Sequence, residues 1–266
     1  MILKKGKLVI VSIVEAILIC LLSVLLTFKT ICVKTISDNY MNLTITNQII
    51  DFVIDNYTNI NNDQLKSLQN DLIDSKELYQ FNEQAFDQTI YDIKTQNSFH
   101  IEDKTIDNFS KTCIKLIEKN LDRELSSQQQ QDMRDLLEKD SLWSRFSQNI
   151  DGKINKNSFF VKMYSFSDMW SLKIVIVVFI LLGIFFIYRN SKEYCVVYFL
   201  IITLLSSLLN YILLMIVSLL TPVLARLLNI ESLTISMDLI LYIAMTLLIV
   251  SLLLFIFGIM KKSYKK

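Results

Sequence analysis

The sequence predicts an all-α membrane protein with four transmembrane helices and a helical extracytoplasmic domain inserted between helix 1 and helix 2. Hydrophobic residues make up 52% of the 266-residue chain and charged residues 20%. The apolar excess is concentrated in four blocks, as membrane spans require. The chain has only 4 glycines and 1 proline, so it lacks the turn residues that a β-rich fold needs.

The first apolar block covers residues 8–28 and follows the basic segment 1–7. A helix rising about 1.5 Å per residue crosses the hydrocarbon core over this length, roughly 30 Å. A secretory signal peptide would have a shorter apolar region and a small-residue cleavage site. The segment 27–31 offers no such site, and Ile19 precedes Cys20 where a lipoprotein signal would have a small residue. We therefore predict an uncleaved membrane anchor.

Residues 29–170 are polar enough for water and show helical periodicity, which predicts an all-helical domain with its own core. A short strand at 159–166 is the only competing pattern. The expected core positions lie on apolar stripes of successive helices: Ile45, Ile49, Phe52 and Val53; Leu65, Leu68 and Leu72; Leu78, Ala85, Phe86, Ile90 and Ile93; Ile106, Phe109, Cys113, Leu116, Ile117 and Leu121; Met133, Leu136 and Leu137.

Polar residues before three of these stripes predict where the helices begin. Asn62 or Asp63 can cap the second helix, and Ser75 can cap the third. Ser127 with Gln130 matches a capping box before the last stripe.

The charge of this domain limits its partners. Residues 30–170 contain 22 acidic against 15 basic residues. Nucleic-acid binding needs cations that neutralise phosphates, so we expect no nucleic-acid partner.

Three further spans are predicted at 172–188, 194–220 and 237–260, the first of them entered beside Trp170 and Lys173, which suit a membrane interface. Thr221 and Pro222 match an N-cap followed by proline at the first helical position. The segment 221–236 is therefore predicted to be an extracytoplasmic loop with a short interfacial helix, and 261–266 to be a tail.

Basic residues predict the orientation of the chain. The N-terminus, the hinge 189–193 and the tail hold nine Lys or Arg residues, whereas 221–236 holds only Arg226. Basic flanks stay in the cytoplasm. Both termini are then cytoplasmic and 29–170 lies outside the plasma membrane. A bias toward Asn, Ile and Lys favours an AT-rich bacterial source.

Glu15 is the most informative single residue, because an ionisable group inside a span usually faces a bundle interior or a functional path. It lies about 10 Å above the cytoplasmic edge, and Thr203 and Ser251 fall at about 13–14 Å on their spans. We hypothesise that the three form an intramembrane polar layer. The alternatives are that Glu15 is protonated and joins helices, or extends toward Lys7.

Other polar residues have ordinary structural interpretations. Ser206, Ser207 and Asn210 favour helix packing by interhelical hydrogen bonds. His100 is the only histidine and favours a solvated loop, since one histidine cannot build a multi-histidine zinc site. The four cysteines lack metal spacing, although a bridge between Cys32 and Cys113 stays open. We predict no metal, no cofactor and no catalytic residue.

The order of one span, an outside domain and three spans is similar in layout to FtsX-like permease subunits of ABC systems, although no motif carries the likeness. Four-span lipoprotein transacylases also have a domain outside the first span, but that family relies on more than one histidine. The sequence favours a non-enzymatic protein whose domain binds a membrane or envelope partner, senses a condition or scaffolds a complex. The alternatives are a transport or mechanotransmission subunit with a separate ATPase, and a membrane-embedded enzyme using Glu15 or His100. Homo-oligomer formation stays open.

Overall fold

Helices account for 92% of the residues that the structure, a computed structural model, describes, and this part of the chain contains no strand. The described residues are 2–58, 60–95, 101–138, 159–191, 194–228 and 234–263. The helices are α1 (Ile2–Ile36), α2 (Asn42–Asn56), α3 (Asn62–Ile73), α4 (Lys76–Thr95), α5 (Asp103–Leu121), α6 (Ser127–Glu138), α7 (Phe159–Asp168), α8 (Trp170–Ser191), α9 (Cys195–Leu228) and α10 (Asp238–Ser263), with a π-helical segment Ser37–Met41 between α1 and α2. The all-helical prediction is confirmed for these residues.

The chain divides into two compact units. The membrane unit comprises Met1–Ile31 and Met163–Lys266, and the helical domain comprises Cys32–Lys162. The predicted domain boundaries 29 and 170 differ from the ends of this unit, Cys32 and Lys162, and stay a prediction.

Four helices of the described chain are long and apolar enough to cross a bilayer, with candidate spans at Lys5–Asn39, Trp170–Ser191, Cys195–Pro222 and Asp238–Ile259. These helices present many large apolar side chains on their outer faces. A soluble protein would bury such surface, whereas a bilayer covers it. The multi-pass membrane prediction therefore stands.

The predicted helix break at Thr221 and Pro222 is wrong. Helix α9 continues through Pro222 to Leu228, so the described part of 221–236 begins as helix and not as a loop with a separate short helix. Proline removes one backbone donor from the helix. One carbonyl of α9 therefore loses its helical partner, and in a bilayer the remaining backbone groups are best satisfied by continuing the helix.

The helical domain is organised around α5, which packs against α3, α4 and α6. Its predicted apolar stripe is buried except Leu116, which is partly exposed. At the α4–α5 contact, the ring centroids of Phe81 and Phe109 are 4.9 Å apart, and both side chains are buried. The predicted core is thus confirmed at these positions, and Phe81 is a core residue that periodicity did not identify.

Local capping corrects the sequence interpretation at two helices. Asn61, not Asn62 or Asp63, caps α3, in a capping box with Gln64. The box before α6 lies one residue earlier than predicted, because the Ser126 side chain accepts from the Gln129 amide and the Gln129 side chain accepts from the Ser126 amide. Neighbouring polar residues could each serve as a cap, so composition alone does not set the register.

Two other local predictions have opposite outcomes. Ser75 caps α4 as predicted, since its hydroxyl oxygen accepts from the Leu78 amide at 3.2 Å. The alternative strand at 159–166 is wrong, because these residues lie in α7. Asp151 and Gly152, a pair typical of a turn, lie outside the described residues.

Candidate functional site

The membrane part of α1 has one buried face that carries polar groups. Leu8, Ser12, Glu15 and Ala16 are all buried, with Glu15 only 3% exposed. Their spacing of three and four residues places them on one side of the helix. The Ser12 hydroxyl donates to the carbonyl of Leu8 at 2.9 Å within α1. Glu15 is therefore an ionisable side chain held inside the membrane unit.

Gly183 of α8 makes room for the Glu15 carboxyl group. A Cβ atom built at Gly183 would overlap the carboxyl carbon and oxygen Oε1 of Glu15. The same face of α8 buries Ile176, Ile180 and Ile187, so Gly183 forms a notch in a row of bulky side chains. The carboxyl group is packed directly against the α8 backbone. Its oxygen Oε2 is buried and has no hydrogen-bond partner.

Polar residues of α9 hydrogen-bond to the helices on both sides. The Ser206 hydroxyl lies 3.3 Å from the carbonyl oxygen of Ala16 and 2.7 Å from that of Ile202. The Ser207 hydroxyl donates to the carbonyl of Ala244 on α10 at 2.8 Å. Both hydroxyl groups thus contact a carbonyl of a neighbouring helix, and a role in helix packing stays a prediction.

Asn210 behaves differently from these serines. Its side-chain amide donates to the Ser206 carbonyl at 2.9 Å, within α9. Its oxygen Oδ1 is buried and has no hydrogen-bond partner. Asn210 is thus a second side chain of the membrane unit, with Glu15, that carries a buried acceptor without a donor.

The structure brings together two members of the predicted polar layer. The Ser251 hydroxyl lies 2.9 Å from the Thr203 hydroxyl, which joins α10 to α9. Glu15 faces the Gly183 notch, and its free oxygen Oε2 bonds to neither hydroxyl. The three-residue layer stays a prediction.

Two ion-pair clusters stabilise the surface of the helical domain. Arg134 donates to Asp107 at 2.7 Å and to Glu138 at 2.8 Å, joining α6 to α5. The hydrogen bond with Asp107 raises the pKa of Arg134. Asp71 of α3 accepts from Lys119 of α5 at 2.9 Å, and this bond lowers the pKa of the Asp71 carboxyl group. Both clusters tie neighbouring helices together.

A concave surface of the domain lies between α4 and α5. Its lining is polar and mostly acidic or amide: Glu77, Gln80, Glu83, Gln84, Glu102, Lys104, Thr105, Asn108 and Phe109. The Thr105 hydroxyl donates to the Gln84 side chain across it. We call this feature the α4–α5 cleft.

No cysteine in the chain forms a disulfide, since Cys20, Cys32, Cys113 and Cys195 are all free. The bridge left open between Cys32 and Cys113 is not formed. Burial raises the pKa of the Cys113 thiol.

Within the described residues, no group of three or more His, Cys, Asp or Glu side chains is arranged to hold a metal ion. His100 lies outside those residues.

Gly183 is the site residue that sequence reasoning missed. One signal was present: it is the only residue without a side chain in the apolar run of α8, and small residues in spans mark close approach of another helix. Nothing in the sequence connects it to Glu15, because the two are 168 positions apart.

Comparisons with protein-family models, curated proteins and solved structures find no match to this chain.

Proposed function

We propose that this chain is a non-enzymatic plasma-membrane protein that presents its helical domain outside the cytoplasm for interaction with another membrane or envelope protein. The observation that carries the proposal is the division of the chain into an apolar four-helix unit and a separate domain with its own core. A domain that folds around its own core can present a surface at the membrane without contributing to a bilayer-embedded site.

The distribution of charge supports an outside position for the domain. Lysine and arginine flank the N-terminal end of α1, the hinge between α8 and α9 and the C-terminal end of α10. The positive-inside rule places these flanks in the cytoplasm. With four spans, the chain between α1 and α8 then lies on the opposite side.

The α4–α5 cleft is the surface of the domain that we propose for the partner. It is concave and lies between two helices whose apolar faces pack into the core of the domain. Glu77, Glu83 and Glu102 against the single cation Lys104 give it an acidic character. Acidic surfaces steer and select basic partner segments more than they add affinity.

Site-specific photocrosslinking in intact cells tests the proposal. A photoreactive amino acid replaces Gln80, which is exposed in the cleft, and in a matched control it replaces Gln128, an exposed residue of α6. We expect one discrete crosslinked envelope or membrane protein from position 80 and a much weaker product from position 128. Raised salt should weaken the crosslink, since exposed charge interactions are screened.

Two outcomes would count against the proposal. Equal, diffuse crosslinking from both positions would contradict a specific partner surface. Stoichiometric recovery of a cytoplasmic ATPase with the full-length protein would instead favour the transport or mechanotransmission subunit that the FtsX-like layout suggests.

A further inference from the structure

Among the residues that the structure describes, no cation lies where it could balance a carboxylate at Glu15. Helix α8 contributes Gly183 and buried isoleucines. Its described cations lie toward its ends: the Lys173 ammonium group is 4.9 Å from the Trp170 ring centroid, and Arg189 is exposed. Along the helix axis they are about 15 Å and 9 Å from Gly183.

The described side chains in the membrane parts of α10, α9 and α1 add no positive charge near Glu15. Residues 239–260 of α10 contain no Asp, Glu, Lys or Arg. On α9, the buried titratable group near α1 is Tyr198, which clusters with Leu8, about 10 Å along α1 from Glu15. On α1 itself, Lys7 is exposed and the partly buried Cys20 thiol is neutral in its ordinary form.

A carboxylate in such a place would be an unpaired buried charge, which an apolar environment strongly disfavours. A carboxylic acid is neutral and gains a donor. Protonation would therefore supply a hydrogen-bond donor where the described part of the membrane unit has two buried acceptors without one, Glu15 Oε2 and Asn210 Oδ1. Asn210 lies one turn from Ser206, whose hydroxyl contacts the carbonyl of Ala16 beside Glu15.

We propose that Glu15, seated in the Gly183 notch, is an intramembrane proton-binding site that holds its carboxyl group as a neutral acid. The ligand is a proton and not a metal cation, because one carboxyl group facing a glycine and isoleucines does not provide the several oxygen ligands that a hard cation needs. The site lies in the membrane unit, so it is independent of the proposed partner-binding role of the domain.

A neutral buried acid has a distinctive reactivity. An apolar carbodiimide takes the carboxyl proton on one nitrogen while the carboxyl oxygen bonds to its central carbon. The O-acylisourea formed rearranges to a stable N-acylurea, so the whole reagent is added and nothing leaves. Glu15 should therefore be modified by dicyclohexylcarbodiimide from the membrane, whereas exposed carboxylates of the domain should react with a water-soluble carbodiimide.

The experiment treats the full-length protein in native membrane vesicles with each reagent and maps the adducts by mass spectrometry. We expect one dicyclohexylcarbodiimide per chain at Glu15, with no adduct at this position in Glu15→Gln. Infrared spectroscopy of the purified protein in lipid should show a protonated carboxylic-acid carbonyl band at neutral pH. The band should shift in deuterated water and be absent from Glu15→Gln.

Either of two results would overturn the proposal. A wild-type spectrum without a band that depends on Glu15 would show that the carboxyl group is ionised, whatever the labelling yield. Protection of Glu15 from the apolar reagent by sodium, compared with choline at the same pH, would show that the site binds a metal cation instead. The Glu15→Gln variant is a neutral substitute of similar shape, so it should fold and serve as the control in both measurements.

Discussion

The contact between Glu15 and Gly183 predicts a specific energetic coupling between α1 and α8. In Gly183→Ala, the new methyl group occupies space filled by the Glu15 carboxyl group. The flexible Glu15 side chain must then move, and its burial limits the space into which it can move. Inserting a methyl group into a packed core costs about 1–3 kcal/mol. Alanine regains up to about 1 kcal/mol of helix propensity, so the single variant alone would be ambiguous.

A double-mutant cycle separates these two contributions. In Glu15→Ala the overlapping group is gone, and adding Gly183→Ala to it should be neutral or stabilising. The difference between the two effects of Gly183→Ala is the coupling energy, expected at about 1–3 kcal/mol. The free energy of unfolding of the four proteins is measured by reversible denaturation of the full-length chain in detergent micelles.

Gly258 provides the matched control. A Cβ at Gly258 would meet Val196 Cγ1 at 3.7 Å, an ordinary contact, so Gly258→Ala should not destabilise the protein and should not couple to Glu15→Ala. A coupling energy between Gly183 and Glu15 below about 0.5 kcal/mol, the usual scatter for independent sites, would refute the notch.

Three further predictions concern the helical domain and are measured by hydrogen exchange in the full-length protein. Phe109→Ala should lower the opening free energy of α5 by about 3–5 kcal/mol, since the ring is buried against Phe81; a change below about 1 kcal/mol would contradict this core. Asp122 has φ 50°, so Asp122→Gly should stabilise the end of α5 by about 0.5–1 kcal/mol, and destabilisation would disprove the left-handed conformation. The hydrogen bond from Lys119 lowers the pKa of Asp71, so its contribution is present above the ordinary pKa of about 4 and is lost as pH falls through the lower folded value. Asp71→Asn should remove that acid-dependent loss of α3 protection, and an unchanged pH profile would argue against the contact.

Hydrophobic patterns predicted most of the helices correctly, because each pattern extends over many residues. The stripe from Ile106 to Leu121 extends over about four helical turns, so a single misjudged position did not affect the helix, and the same holds for the four apolar blocks. The prediction of where a helix begins, in contrast, depends on a single capping residue. Ser126 and Ser127 are chemically equivalent in the sequence, and only the backbone geometry selects Ser126 as the cap.

Features that depend on neighbouring helices were not available from the sequence. Thr221 and Pro222 together match the start of a helix in sequence. The existing helix nevertheless continues through them, because an apolar environment offers the backbone groups no better hydrogen-bond partners. Glu15 was identified from its depth in the first span, whereas Gly183 was not, since its role is to provide space. Depth counting placed Thr203 and Ser251 at a similar level of their spans, and their hydroxyl groups are hydrogen-bonded, but the layer that was to include Glu15 stays a prediction.

The proposed partner role depends most on the position of the helical domain relative to the membrane, which cysteine accessibility measures directly. In a cysteine-free background, single cysteines replace exposed Glu124 in the domain, Ser236 before α10 and Tyr194 at the start of α9, and intact cells are treated with a membrane-impermeant maleimide. We expect labelling of Glu124→Cys and Ser236→Cys in intact cells, and of Tyr194→Cys only after permeabilisation. Labelling of Tyr194→Cys in intact cells, with Glu124→Cys protected until permeabilisation, would contradict the proposed orientation and the partner role that depends on it.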